Sequence, residues 1–270
     1  AQCHLGQMYY IGEWVNKDGK EAVKWYRKAA EQGLAEAQCI LGAMYNEGKE
    51  VEQDIKEAVK WFRKAAEQGH AWAQYSLGKT YGTGEGREQD FKETLKWYRK
   101  AAEQGHVEAQ FGLGSLYIEA KGVEQDEKEG MEWIRKAAEQ GHAEAQGNLG
   151  ARYSLGQGVE QDEKEAVGWY HKAAEQGYAE AQLILGASFA VGREMEQDFK
   201  KAVKWLRKAA EQGHARAQFA LGAMYNGGRG VKQDPKEAVK WCHKAAEQGL
   251  AEAQCHLGQM YYIGEWVNKD

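Results

Sequence analysis

Lys28-Ala29-Ala30-Glu31-Gln32-Gly33 is the hexapeptide that decides the fold of this chain, because it returns at a fixed interval of 36 residues. It begins again at Lys64, Lys100, Lys136, Lys172, Lys208 and Lys244, with no insertion in any interval. A fixed period of this length is typical of repeat proteins, whose units are stable only when they stack on their neighbours. The period therefore predicts a repeat array and a functional surface shared by several units.

Each unit has the pattern of two helices. In the second unit, helical spacing of apolar residues continues to Gly48, and glycine commonly ends a helix in the left-handed conformation. After a loop, Asp54 is the predicted N-cap of the second helix, and Glu57 three residues later completes a capping-box pattern. The second helix should end at Gly69. We expect a single domain over residues 1–270, with units 1–36, 37–72, 73–108, 109–144, 145–180, 181–216 and 217–252 and a half unit 253–270.

Composition excludes several classes of function. Of the residues, 29% are charged and the net charge is −5, with basic and acidic side chains interleaved in every unit. This balance argues against nucleic acid as the partner. No apolar run approaches the ~18 residues of a membrane span. The sequence indicates no compartment.

Chemistry-bearing side chains do not form a catalytic pattern. Serines are few, and the carboxylates recur as helix caps, so we predict that the chain is not an enzyme and has no cofactor or metal. Four histidines follow helix-ending glycines, which favours a role in the turn or at the helix dipole over metal binding; these are His70, His106, His142 and His214. The cysteines have no zinc spacing, and free thiols are favoured, with a pairing of Cys242 and Cys255 left open; the other two are Cys3 and Cys39.

The first helix of each unit has one repeating face and one variable face. At 100° per residue, the positions that recur between units fall within an arc of about 140°; in the second unit these are Ala37, Gln38, Leu41, Gly42 and Tyr45. The repeating face, together with one tryptophan in every second helix, predicts the core; these are Trp25, Trp61, Trp97, Trp133, Trp169, Trp205 and Trp241.

The repeated motifs resemble Sel1-like repeats, which are relatives of tetratricopeptide repeats. They are Ala-Gln-x-x-Leu-Gly-x-x-Tyr, the loop at residues 156–162, and Glu-Ala-Val-Lys-Trp-Tyr-x-Lys-Ala-Ala-Glu-Gln-Gly, in register along the whole chain. The resemblance implies an all-α, right-handed superhelical solenoid of αα-hairpins. It also implies that the first helices line a concave partner-binding surface in a non-catalytic adaptor or scaffold. Ala120 in place of the loop glycine and Phe189 in place of the tyrosine depart from the pattern.

The variable face is the candidate binding surface, because the resemblance places it on the concave side. It suits an extended or helical peptide with apolar anchors. The alternative is that several of these side chains only join one first helix to the next. The candidate residues are Tyr75, Phe111, Leu183, Phe219, Trp72, Ile40, Asn46, Lys79, Asn148, Arg152 and Asn226.

The two ends of the chain carry the same half unit. Residues 1–18 are repeated without a change at 253–270, an offset of seven periods, although internal units differ at most variable positions. We expect either an engineered array or a recent duplication. End-to-end association is one hypothesis for the copied segment, and a solubilising cap is the other. The candidate end contacts are Tyr10, Trp14, Tyr262 and Trp266.

These observations predict a non-catalytic scaffold that binds a peptide or protein partner on the concave surface. The alternative is an engineered or self-assembling repeat module whose duplicated ends associate.

Overall fold

A computed structural model describes residues 1–85, 88–192 and 195–263. Over these residues the chain is all-α, with fifteen helices that alternate between first and second helices of the hairpins and with no strand. The first helices are α1 (Gln2–Ile11), α3 (Ala35–Glu47), α5 (Ala71–Thr83), α7 (Val107–Ile118), α9 (Ala143–Leu155), α11 (Ala179–Val191), α13 (Ala215–Gly227) and α15 (Ala251–Ile263). The second helices are α2 (Gly19–Glu31), α4 (Ile55–Glu67), α6 (Phe91–Glu103), α8 (Glu127–Glu139), α10 (Glu163–Glu175), α12 (Phe199–Glu211) and α14 (Pro235–Glu247). The predicted solenoid of αα-hairpins is confirmed.

The chain forms two compact units, residues 1–137 and residues 138–270, which we call the N-terminal unit and the C-terminal unit. In each unit a first helix packs against the second helix of its own hairpin, and that second helix packs against the next first helix. The single-domain assignment made from the sequence stays a prediction.

The N-caps of the second helices are where the sequence places them, but the capping box is wrong. The Asp54 carboxylate accepts the N–H of Glu57 at 3.0 Å. The N–H of Asp54, which a capping box would give to Glu57, is donated to the Tyr45 carbonyl at 3.0 Å. That carbonyl lies in the last turn of α3 and needs a donor from outside the helix. Glu57 instead contacts the Lys60 ammonium at 3.3 Å.

Buried glutamine side chains tie three helices together, and the same pattern of bonds recurs at Gln38, Gln74, Gln146, Gln182 and Gln218. The Gln38 amide group of α3 donates to the Ala30 carbonyl of α2 at 3.0 Å, and its oxygen accepts from Gln68 after α4 at 2.7 Å. The C-terminal unit repeats the arrangement, since Gln182 donates to the Ala174 carbonyl at 2.9 Å and accepts from Gln212 at 2.8 Å. The Ala-Gln and Glu-Gln-Gly motifs are therefore two halves of one hydrogen-bond pattern.

The predicted core is confirmed on the repeating face. Leu41 and Ala37 are fully buried, and Trp61 is buried with them in a cluster that includes Tyr26 of the preceding second helix. One turn along, the Lys64 ammonium lies 4.3 Å from the centroid of the Trp61 ring, close enough for a cation–π contact. The tryptophans at 97, 205 and 241 are buried in the same way, whereas those at 25, 133 and 169 are half-buried.

The histidines after the helix-ending glycines cap the next helix. Of the two roles expected from the sequence, this agrees with a place in the turn and not with a contact to the C-terminal dipole. The Nδ1 atom of His106 accepts the N–H of Ala109 in the first turn of α7 at 3.4 Å. Its ring stacks on Tyr75 with centroids 4.7 Å apart. Equivalent caps are made by His70, His142 and His214. A neutral imidazole suits this place, because a helix N-terminus disfavours positive charge.

The departure at Ala120 yields a stability prediction. Ala120 has a φ of +55°, whereas the other described units place glycine there, such as Gly156 with a φ of +68°. Because a side chain is strained in this conformation, Ala120→Gly should raise the free energy of unfolding by about 0.5 to 1 kcal/mol. The matched change Gly156→Ala should lower it by about 1 kcal/mol. Guanidinium unfolding followed by circular dichroism checks both predictions. If the free energy of unfolding changed in the same direction in the two variants, backbone strain at Ala120 would be contradicted.

The cap at His106 predicts a pH dependence of stability. Burial lowers the pKa of His106, and the nearby Glu108 carboxylate opposes this in part. The folded protein therefore binds this proton less readily than the unfolded chain does, so the stabilising contribution of neutral His106 is complete above the unfolded pKa of about 6.5. It declines as the pH falls through that value and through the lowered pKa of the folded state.

We expect His106→Asn to keep the cap, since asparagine is a favoured N-cap residue, and to make stability depend less on pH between neutral and acid. Urea unfolding at a series of pH values measures this slope. A constant offset between the two proteins, with parallel pH profiles, would show that His106 does not titrate as proposed.

Candidate functional site

An apolar groove in the N-terminal unit contains residues of the variable face. It has a volume of about 590 Å³ and runs between α1 and α3 to the start of α5. It brings together three of the sequence-predicted residues, namely Tyr10, Ile40 and Trp72. The groove thus joins one candidate from the end contacts to two candidates from the partner-binding set.

The floor of the groove is buried and uncharged. It is formed by Cys39 and Met44 of α3 and by Tyr26 of α2. Burial, with a smaller effect of the Glu36 carboxylate, raises the pKa of the Cys39 thiol to about 12. Burial also raises the pKa of the Tyr26 hydroxyl to about 12. Both groups are neutral at physiological pH, so the floor offers apolar contact rather than a nucleophile.

Large apolar side chains stand exposed at the mouth of the groove. Tyr10 is 36% exposed, Ile11 is 58% exposed and Trp72 is 43% exposed. Trp72 is held in place by an edge contact with Phe62, with ring centroids 5.9 Å apart. At the Tyr10 side, the Lys17 ammonium lies 6.0 Å from the centroid of the ring. Exposed aromatic side chains around a buried apolar floor are the arrangement that anchors a partner.

Other predicted residues of the N-terminal unit lie outside this groove lining. Tyr75 is half-buried, because its ring lies between the His106 ring and the Tyr98 ring, the latter at a centroid distance of 5.5 Å. Asn46 and Phe111 are half-buried, and Lys79 is exposed. Tyr75 thus contacts the second helix of its own hairpin, through Tyr98, and the cap of the next first helix, through His106.

The predicted residues of the C-terminal unit make contacts within a helix or between helices, or are half-buried. Leu183 is half-buried against the apolar cluster that contains Leu221. The Asn148 side-chain oxygen accepts from Arg152 Nε one turn along at 3.0 Å. Phe219 makes an edge contact with the ring of His256, with centroids 5.7 Å apart. Asn226 is half-buried.

The candidate end contacts differ in exposure. Trp14 is 88% exposed and Tyr262 is 89% exposed. Trp266 lies outside the described residues, as do residues 264–270 as a whole. Tyr10, which is equivalent to Tyr262, is less exposed because it borders the groove.

Sequence reasoning missed two parts of the groove. It did not assign Tyr26 to the floor, because this residue belongs to a second helix and its side chain reaches the groove beside Gly6 of α1. It also did not single out Glu36, the acid in the first turn of α3. The sequence did contain a signal for Glu36. Trp72 lies at the equivalent position of the next unit, where most units have an acid.

The structure shows the state of the cysteines and the placement of potential metal ligands among the described residues. All four cysteines are free; Cys242 is buried with its sulfur 3.8 Å from His256 Nδ1, and Cys255 is exposed. Within the described ranges, no group of three His, Cys, Asp or Glu side chains is placed to hold a metal ion. No helix in the described part of the chain has both the length and the apolar character to cross a membrane.

A model of a known protein family matches almost the whole chain. The Sel1 repeat model matches residues 1–34, 35–70, 73–106, 107–142, 143–178, 179–214, 215–250 and 251–270. Most of these ranges begin at the first residue of a first helix, two residues before the unit boundaries predicted from the sequence. No curated protein matches the chain.

Solved structures resemble the chain as well. A Sel1 repeat protein from Oxalobacter formigenes is 37% identical, with a TM-score of 0.83 over 96% of this chain and 75% of that chain. A protective antigen of uropathogenic Escherichia coli is 35% identical over 100% of this chain and 73% of that chain, with a TM-score of 0.45. An immunity protein of Pseudomonas aeruginosa resembles the chain in fold alone, at 22% identity and a TM-score of 0.51 over 78% of this chain and 81% of that chain.

Proposed function

Because the chain belongs to the Sel1 repeat family, within the tetratricopeptide-like superfamily, we propose that it is a non-catalytic scaffold that binds a peptide segment of another protein. Proteins of this family generally mediate protein–protein interactions. The proposed binding surface is the variable face of the first helices. The groove of the N-terminal unit is the part of that face that most favours binding.

One observation carries this proposal: Trp72, Tyr10 and Ile11 are exposed around a buried, neutral floor. Each would lose contact with water when an apolar side chain of a partner enters the groove, which stabilises the complex by about 25 cal/mol per Å² of apolar area buried. Aromatic side chains that already have a fixed place lose little conformational entropy on binding. The edge contact with Phe62 gives Trp72 such a place.

The dimensions of the groove favour a peptide. Its lining on α3 extends from Glu36 to Glu47, which is roughly 16 Å at 1.5 Å per residue. That length matches about three turns of a docked helix or about five residues of an extended strand. An amphipathic peptide can fill such a groove with anchors spaced along one face.

Trp72→Glu should weaken peptide binding without unfolding the chain. The equivalent residue of most other units is glutamate, as at Glu108 and Glu144, so the helix accepts this side chain. A glutamate would remove the aromatic anchor and place a charge beside the apolar mouth. For peptides of about three helical turns selected from a random phage-displayed library, we expect the Kd to rise at least about tenfold, measured by fluorescence anisotropy.

The matched control is Leu155→Glu, which introduces the same charge at a residue of the C-terminal unit that is 65% exposed. It should leave the Kd unchanged. If both variants bind the selected peptides as the unaltered chain does, the groove is not the binding site.

End-to-end association is the second candidate function, and the two copies of the terminal half unit support it. Gly6 of α1 is buried, and a Cβ placed there would meet the Tyr26 ring of α2 at 3.0 Å. Its copy in α15, Gly258, has no described atom within 4 Å of the same position. Since residues 253–270 have the sequence of residues 1–18, α15 of one molecule carries the same side chains that contact α2. It could therefore take the place of α1 on α2 of a second molecule, as in the exchange of identical elements.

Gly258→Arg tests this association, because the arginine would occupy the close contact that Gly6 makes with Tyr26. We expect oligomers of the 270-residue chain to be lost in sedimentation experiments at several concentrations, with helicity retained. Gly168→Arg is the control, since Gly168 of α10 also has nothing within 4 Å. A mass that is monomeric for all three chains at high concentration would reject the association.

A further inference from the structure

Of the acidic and lysine side chains that line the groove, two form an ion pair and one does not. Glu36, Glu47 and Lys49 line it. The Lys49 ammonium lies 2.5 Å from the Glu47 carboxylate, so these two charges offset each other. Among the described side chains, none forms an ion pair with Glu36. The groove therefore carries one uncompensated negative charge, at the first turn of α3.

The Glu36 carboxylate acts on the interior of the groove. After burial, which is the larger cause, its negative charge contributes to raising the pKa of Cys3 and of Cys39, both of which line the groove. His70, which also lines the groove, uses its Nδ1 atom to accept the Ala73 N–H at 3.3 Å. A bound anion would find no unpaired lysine or arginine among the described lining residues.

Glu36 and Trp72 occupy equivalent places in neighbouring repeats, each in the first turn of a first helix. Both side chains line the same groove. A separation on the order of 10 Å, the spacing of packed helices, is spanned by about three residues of an extended peptide, or by fewer when a long lysine or arginine side chain reaches across it. An apolar anchor beside Trp72 and a cation beside Glu36 can thus come from one short segment.

We propose that the groove selects peptide segments that carry a lysine or arginine within about three or four residues of an apolar anchor, with the cation bound by Glu36. This inference rests on the proposed function of the same groove and specifies its partner. The apolar anchor supplies most of the binding energy, because it is the part that leaves water. The charge pair at the rim selects among apolar peptides and penalises acidic ones.

A charge exchange at Glu36 tests the inference. Random peptides of about three helical turns, displayed on phage, are selected in parallel on the unaltered chain and on Glu36→Lys. The unaltered chain should enrich Lys or Arg near an apolar residue, and the variant should enrich Asp or Glu at the same spacing. For a basic peptide from the first selection, Glu36→Lys should raise the Kd about fivefold, and the difference should shrink at high salt.

Glu144→Lys is the matched control, because Glu144 is the exposed acid in the first turn of α9, in the C-terminal unit. It makes the same charge change at the same place in a repeat and should leave peptide preference unaltered. Two results would overturn the role of Glu36 and leave the proposed function standing. The selected peptides could depend on Trp72 but show no charge preference, or Glu36→Lys could select peptides with the same charge preference as the unaltered chain. Failure to select any peptide that depends on Trp72 would instead reject the proposed function. Self-association lost on Trp72→Glu would overturn the inference, because the groove would then hold a second copy.

Discussion

The buried glutamine hydrogen bonds are the constraint on which the rest of each unit depends. A glutamine such as Gln38 or Gln182 is almost completely buried, and an unpaired amide there would cost roughly 1 to 3 kcal/mol. Its partners are a carbonyl near the end of the preceding second helix and the amide that follows its own hairpin. These bonds are satisfied only at one distance and one register between helices. The partners recur at fixed spacings of 8 residues before the glutamine and 30 residues after it, so the bonds join the same places in successive units.

A second contact shows that the repeating positions act in pairs. Where a tyrosine ends the repeating face of a first helix, the preceding second helix can supply an arginine, as in the bond of 2.6 Å between Arg207 and the Tyr225 hydroxyl. Phe189 lacks the hydroxyl, and the preceding second helix has His171, whose ring contacts the Phe189 ring at a centroid distance of 6.2 Å. Both members differ together, because an arginine there would face a phenylalanine that cannot accept a hydrogen bond. Such pairing leaves the variable face free to differ from unit to unit.

The groove is formed by residues of the variable face, which differ between units, over a core that is repeated in every unit. Trp72 stands where most units have glutamate, and Glu36 stands one repeat away, so an aromatic anchor and an acid become neighbours. The sequence could identify both as variable positions. It could not show that Tyr75 would stack between Tyr98 and His106, because Tyr98 lies on α6 and His106 precedes α7, and the spacing of residues along α5 does not fix the distance to either. The histidine caps were missed for a related reason: the ring lies after one helix and before another, and only the backbone geometry decides which one it binds.

By itself, the sequence determined the repeat length, the αα-hairpins, the aspartate caps and the repeating core face, because these depend on periodicity and on contacts within a few residues. It also determined the family, since the motifs recur in register. Only the tertiary structure decided that the Asp54 N–H binds the Tyr45 carbonyl rather than Glu57, and that Tyr10, Ile40 and Trp72 share one groove over Tyr26. These features join residues from different helices. The distances between these residues are set by how side chains of unequal size fill the space between neighbouring helices. The spacing of residues along one helix does not give these distances.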